Sequence, residues 1–460
     1  MIVDTLPNAL PTDDNYGRNF IGGEWKFPAA PYEFEIRNPL DSTITTEVPL
    51  SSRIDVTRAI SAASDALHGP WRESQTRGRS LARLLQRCTE LSSDLARLQC
   101  TESGLSWSDS TALLDATLKL ARGRLAERVL GTPADQPPAV SGHILSWGLP
   151  ISEILLSVFS ALVDGHTVVV KPSLRGALTP DAIALIAGEV GFPPGVINIV
   201  QGTGVDVGAA LISSPDLGRL CVHGNENTLA RASRAYPFTH VPLTTLRGGG
   251  NAAMVFPGAS DDDIVNLAAE TAAAVRVNSA GALFGLHAIA VHQDLAERVI
   301  EAVTEQVRIV RPAPLPVELQ RRRTMSRVHR LAAAGGRVRC GGAVRDDIAH
   351  RMGWLVSPTV IELGPAARAI PLLDAVGEPS GPVLTISTWA THSDLDRLFT
   401  HARHRDGYGS IWGDDVGHNT AAFGTIVRGQ SPLGAARAGL VPRGWYEGVG
   451  VQGATTGVKR

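Results

Sequence analysis

A chain of 460 residues and 48.6 kDa exceeds one ordinary core, and four cysteines are too few for a disulfide scaffold. Its 43 basic and 45 acidic residues leave a formal net charge of -2, so no overall field favours nucleic acid or an anionic membrane surface. A hydrophobic content of 43% with 19% charge describes a well-cored globule of about three units, or one large α/β body with additions.

In chain order, Met1 to Asp14 carries Asp4, Asp13 and Asp14 with no basic stretch, and does not read as a signal peptide. Asn19-Phe20-Ile21-Gly22-Gly23-Glu24-Trp25 predicts a hairpin with a Gly-Gly turn, and Arg37-Asn38-Pro39-Leu40-Asp41 a further turn. From Ser52 to about Arg128 apolar residues recur at three- and four-residue steps, predicting helices. Gly131 to Gly142, rich in Pro and Gly, is the clearest break.

Beyond the break the pattern alternates. Strands are expected near His143–Ser146, Thr167–Val170, Val196–Val200 and Leu220–His223, with helices at Ser152–Val163, Pro180–Val190 and Val205–Ile212. Such alternation marks βαβ units and a parallel sheet. A second alternating block, from about Gly250 to Phe423, holds apolar strands at Ala288–Val291 and Val383–Ile386. The most apolar run, Ile154 to Val163, is too short to span a bilayer and reads as a buried helix, so no membrane partner is expected.

Cys88, Cys100, Cys221 and Cys340 share no metal or CxxC spacing, which fits a reducing, cytoplasmic setting. His401 and His404, with Asp406 nearby, read as a surface pair, and no metal site is expected. The basic run from Gln320 to Arg330 reads as a solvated helix face. Only Lys26, Lys119, Lys171 and Lys459 are lysines among the 43 basic residues, which singles each of them out.

Five blocks then carry a resemblance. Ser146-Trp147-Gly148-Leu149-Pro150, His166 through Ser173, Gly191 through Asn198, Glu378 through Val383, and Tyr408-Gly409 before Trp412 stand in the order of the blocks of the NAD(P)-dependent aldehyde dehydrogenase superfamily, which the chain resembles over most of its length. The resemblance implies an α/β, aldehyde-dehydrogenase-like fold. A Rossmann-like cofactor domain would comprise 1–128 and 144–246, and a second α/β catalytic-type domain 247–430. Shortened bridging or oligomerisation elements would fall at 129–143 and 431–460. Gly131 through Pro138 is brief for the family's inter-subunit hairpin, and its three prolines remove ladder donors.

The resemblance also implies chemistry that the residues do not supply. Such enzymes use a thiolate to attack the aldehyde carbonyl, an amide to steady the oxyanion, and a glutamate to activate water. The amide position falls on Gly148 and the glutamate on Leu246. The nucleophile falls on Ala282, Leu283 or Phe284, and no cysteine lies between Cys221 and Cys340. Ser279 and Thr245 stand in the right loops, but no histidine nearer than His287 could activate them.

The cofactor positions implied by the resemblance are better kept. They fall on Trp147, Lys171, Gly224, Asn225 and Glu378, while Leu174, Leu229 and Ser380 depart from the pattern. NAD or NADP is the cofactor if any binds. The reading that results is a family member that has lost dehydrogenase activity and works as a structural, regulatory or partner subunit, in a homodimer or beside another enzyme. The alternatives are an oxidoreductase with non-standard residues, or a sensor of nucleotide or aldehyde.

Overall fold

The computed structural model describes residues 18–30, 32–130, 137–148, 150–224, 226–235, 241–247, 250–278, 284–343, 353–376, 381–399, 408–414, 423, 425–432 and 434. Ala282, Leu283, Asn225 and Glu378 lie outside these residues, as do Ser279, Ser380, the His401–Asp406 group and most of the expected bridging elements.

The hairpin forms as the Gly-Gly turn predicts: β1 (Asn19–Ile21) pairs antiparallel with β2 (Glu24–Lys26), and Gly22 and Gly23 take φ of 65° and 82°. A second antiparallel pair follows, β3 (Glu33–Arg37) with β4 (Ile44–Pro49). The expected helical stretch resolves into α1 (Arg53–Leu67), α2 (Ser74–Glu90), α3 (Ser92–Ser103) and α4 (Trp107–Val129). Ser52 and Asp55 form a capping box at the start of α1, satisfying donors that would otherwise be orphaned.

Five parallel strands then build the first sheet: β5 (Val140–Ile144), β6 (Thr167–Lys171), β7 (Ile197–Ile199), β8 (Arg219–Gly224) and β9 (Leu243–Arg247). Their order is β2-β1-β7-β6-β5-β8-β9, so the direction of winding reverses between β5 and β8. In an open α/β sheet that reversal opens a crevice at the carboxyl ends of the two strands. One crossover is a continuous helix over 150–163, made of α5 (Pro150–Glu153), a π-turn at Ile154–Val158 and α6 (Phe159–Val163). The others use α7 (Leu178–Glu189), α8 (Ala209–Ile212) and α9 (Glu226–Ala235).

Helices on both faces explain why Val168, Val169 and Val170 are all buried, each worth about 1.5–3 kcal/mol. The start of this sheet corrects two expectations. The strand expected at His143–Ser146 begins at Val140 and ends at Ile144, so residues 140–143 belong to the sheet's centre and not to a bridging element. Gly142 looked like a turn residue, yet it is needed within the strand: a Cβ there would lie 2.8 Å from Leu217 Cδ1.

The second sheet runs β13-β15-β16-β11-β10-β17-β18. It uses β10 (Ala252–Val255), β11 (Ala288–His292), β13 (Arg337–Cys340), β15 (Thr359–Pro365), β16 (Val383–Trp389), β17 (Tyr408–Trp412) and β18 (Thr425–Arg428), parallel except for β13. A small pair, β12 (Ala313–Pro314) with β14 (Leu355–Val356), lies apart. Helices α10 (Asp261–Asn278), α11 (Ala296–Arg308), α12 (Glu318–Ala333), α13 (Ala366–Val376) and α14 (His392–Phe399) complete the unit. The basic run is only partly solvated: Arg322 and Arg323 are exposed on α12, but Arg327 is buried beside Met325 and Val328. No helix of the described residues is long and apolar enough to cross a membrane.

Candidate active-site cleft

The crevice between β5 and β8 receives three segments. The first is the turn 146–148 after β5, the second the end of β9 with Leu246, the third the chain after α10 with Phe284. Leu246 and Phe284 are buried, and both pack in one apolar cluster with Leu156, Cys221, Val277 and Tyr408. The rings of Phe284 and Tyr408 stand 6.5 Å apart at 52°, a tilted contact that aromatic rings favour. Trp147 packs against the same cluster, and its indole N–H donates to the Glu102 carbonyl at 3.2 Å. Gly148, also buried, offers no side chain.

Cys221 changes its standing here. It stands too early in the chain to serve the nucleophile loop, yet the fold brings its thiol into the cluster that holds Leu246 and Phe284. Burial pushes that thiol above its ordinary value, against a smaller downward pull from the Ser157 hydroxyl, so it is a poor nucleophile as it stands. Thr245 lies on β9, paired with Val222. His287 is buried at the start of β11, with its imidazole pushed down to about 4 chiefly by burial, then by Arg327.

Lys171 closes β6, almost fully buried, and its ammonium donates to the Pro172 carbonyl at 2.5 Å. Burial pushes it down to about 8. Gly224 closes β8, and a Cβ there would meet Thr228 Cβ at 2.8 Å, so the first turn of α9 folds directly over it. Leu229 is buried with Val222, Ala232 and Val241, wedged between α9 and the sheet.

A polar group of residues was missed. Glu153 is wholly buried and accepts from the Ser146 amide at 2.7 Å and from the Ser146 hydroxyl. Its Oε2 lies 3.6 Å from His223 Nδ1. Burial pushes Glu153 up to about 7, with the Ser146 bonds opposing, and pushes His223 down to about 3. The available signal was spacing: Ser141-x-His143 and Cys221-x-His223 each place two polar residues on one face of a strand. Among the described residues no group of three or more His, Cys, Asp or Glu is arranged to hold a metal.

Residues 25–423 match the pattern of the aldehyde dehydrogenase family, and the chain belongs to that family. Over 402 residues it is 27% identical to a 3,6-anhydro-alpha-L-galactose dehydrogenase of Streptomyces coelicolor, covering 82% of this chain and 80% of that one. A hydroxyisobutyraldehyde dehydrogenase of Mycolicibacterium austroafricanum is 28% identical over 403 residues, covering 82% and 78% of the two chains. Among solved structures, PnpE from a Pseudomonas species superposes with a TM-score of 0.81 at 25% identity, covering 90% of each chain. An aldehyde dehydrogenase C of Pseudomonas syringae, described as complexed with NAD+ and octanal, gives 0.80 at 22% identity, covering 91% and 90%, a likeness of fold alone.

A family of dehydrogenases implies a dinucleotide, and the residues present can be tested against one. Lys171 fits a ribose hydroxyl. The start of α9 fits less well, because the glycine that lets this helix approach the sheet closely is replaced by Leu229, whose side chain fills the space between them. Leu174, half-buried after β6, offers no carboxylate to a ribose. Among the described residues, Leu229 and Leu174 do not fit a dinucleotide held in the usual manner.

Proposed function

We propose that this chain is a member of the aldehyde dehydrogenase family without dehydrogenase activity, retained as a structural, regulatory or partner subunit. It would act in the cytoplasm, as a homodimer or beside an active enzyme. One observation carries the reading: where the family's chemistry needs an amide, a carboxylate and a thiol, the sequence offers Gly148, Leu246 and one of Ala282, Leu283 or Phe284. Leu246 and Phe284 are packed against each other's neighbours and leave hydrocarbon where polar groups would have to meet substrate. Neither Leu246 nor Phe284, nor Gly148, has a side-chain donor to stabilise transition-state charge developing there.

The test is the purified chain with NAD and NADP against a broad aldehyde panel. The expected result is no oxidation above the uncatalysed rate. Turnover that survives purification to homogeneity and disappears on denaturation would defeat the proposal.

A second reading is favoured by Lys171, the one buried lysine among the described residues, placed at a strand end where a ribose could be met. On this reading the cleft still binds a nucleotide, as an altered oxidoreductase or a sensor. Calorimetry with NAD, NADP and AMP decides it: saturable heat that Lys171→Met abolishes supports the second reading, and no heat removes it.

A further inference from the structure

The buried polar residues beneath the turn 146–148 stand in file, hydrogen-bonded from His223 to Ser141, with Glu153 just beyond hydrogen-bond distance of His223 at its head. Glu153 Oε2 is 3.6 Å from His223 Nδ1, and His223 Nε2 is 3.4 Å from Cys221 Sγ. Cys221 Sγ is 3.4 Å from Ser157 Oγ, which is 3.2 Å from His143 Nδ1. His143 Nε2 ends the file 2.9 Å from Ser141 Oγ. Strands β5 and β8 supply four members, with His143 opposite Cys221 in register, and the helix over 150–163 supplies Glu153 and Ser157.

Each internal member can donate on one side and accept on the other, but not donate on both. Burial keeps His143 and His223 neutral, so each ring carries a single N–H. Serine and cysteine each have one hydrogen. The direction of any one bond therefore fixes the direction of the next.

We propose that this file is a proton-gated relay: loss of one proton from Glu153 reverses the donor sense of every hydrogen bond along it and switches the tautomer of both histidines. With Glu153 protonated, its O–H donates to His223 Nδ1, His223 Nε2–H to Cys221, Cys221 to Ser157, Ser157 to His143 Nδ1, and His143 Nε2–H to Ser141. When that proton leaves Glu153, the carboxylate accepts from His223 Nδ1–H. Cys221 then donates to His223 Nε2, Ser157 to Cys221, His143 Nδ1–H to Ser157, and Ser141 to His143 Nε2. The Glu153 proton crosses to His223 Nδ1, each following hydrogen crosses to the next atom of the file, and the hydrogen released is that of the Ser141 hydroxyl, so one proton leaves and no other bond to hydrogen is gained or lost.

The output lies at the Glu153 end. Ser146 donates to the same carboxyl group through its amide and hydroxyl, and both bonds become charge-assisted when the proton goes. The turn carrying Trp147 and Gly148 is thus held more tightly in the deprotonated state. The charged and titratable groups facing the file are few. Arg219 on β8 and His166 before β6 bear on His143, Arg219 also bears on Cys221, and Glu102 of α3 approaches through its carbonyl, which accepts from Trp147. Lys171 closes the neighbouring strand β6, and Asp181 is buried on α7.

The full chain labelled with 15N-histidine tests this by NMR from pH 5.5 to 8.5, with resonances assigned through single His→Gln variants. The expected result is tautomer exchange at His143 and His223 with one shared midpoint near pH 7, where Glu153 titrates. Cys221→Ala should leave the His223 response intact and abolish that of His143, while Cys221→Ser, which keeps a donor and an acceptor, preserves both. Constant tautomers across the range in the wild-type chain overturn the proposal, and so does a His143 response that survives Cys221→Ala. The wild-type titration stands even if a variant fails to fold. Its outcome is also independent of whether the chain oxidises aldehydes.

Discussion

The two buried sides of the candidate site are built in opposite ways. The wall made by β5, β8 and the helix over 150–163 is lined by paired polar groups, Ser141, His143, Glu153, Ser157, Cys221 and His223, all linked by short contacts. The wall made by the end of β9 and the chain after α10 is hydrocarbon, with Leu246 and Phe284 at its centre. Buried polar groups persist only where each has a partner, and a buried polar group without one costs far more than a methyl group. The first region shares its polarity among its own members, and the second offers hydrocarbon. A catalytic cleft needs the reverse arrangement on its second wall: polar groups aimed at a substrate and not at each other.

Breaking the apolar wall should have the largest effect. Phe284→Ala removes a ring that is 1% exposed, and should cost about 3–5 kcal/mol, read as a shift in the urea midpoint at unchanged slope. Leu246→Glu restores the family's carboxylate and should cost about 3 kcal/mol at pH 8, because a charge is then buried among apolar side chains. The sign of its pH dependence follows. Burial raises the new carboxyl above its unfolded value of about 4.3, so the penalty is small at low pH and grows as pH rises. Urea midpoints at pH 5 and pH 8 would check it; a penalty independent of pH would mean that the position is open to water.

The contact joining the two sheets' helices is weaker. Arg276 of α10 grips Asp109 of α4 at 2.8 and 3.1 Å, but the arginine side chain is 39% exposed and screened. Arg276→Ala should therefore cost only about 1 kcal/mol in urea unfolding. Smallest of all is Lys171→Met. Burial depresses the lysine to about 8, so its contribution to stability is present at high pH and lost as pH falls through that value. The substitution should be neutral, or stabilise by about 1 kcal/mol, at pH 7, with the difference shrinking toward pH 10. A clear loss at pH 7 would show that the ammonium is tied more firmly than its bond to Pro172 indicates.

Much of the fold was legible because its signals are local. The Gly-Gly hairpin and the strands expected at Thr167–Val170 and Ala288–Val291, each observed one residue longer, follow from turn chemistry and β-branched runs. The start of β5 was misread because Ser141 and Gly142 resemble a turn until Leu217, far along the chain, requires the missing side chain. The π-turn was invisible, since residues 154–158 are all buried and, Ser157 apart, apolar, leaving no amphipathic periodicity to interrupt. In the site, block order pointed to Gly148, Leu246 and Phe284, and the fold buries all three. That Cys221 meets Leu246 and Phe284 could not be read in this way, because the order of strands in the sheet sets that meeting, and sequence separation says nothing of it.

The π-turn also lets the helix carry one residue more without changing the phase of what lies beyond it. Such a turn holds one residue more than an α-helix of the same number of turns, the mark of a single inserted residue. Deleting one residue between Ile154 and Val158 would leave a regular helix of the same number of turns, with its far end in the same phase. Phe159 and Leu162 would still face the core they now fill, while the residues of the turn itself would be re-aimed and Ser157 would no longer stand between Cys221 and His143. One codon thus separates a helix that completes the polar file from one that interrupts it.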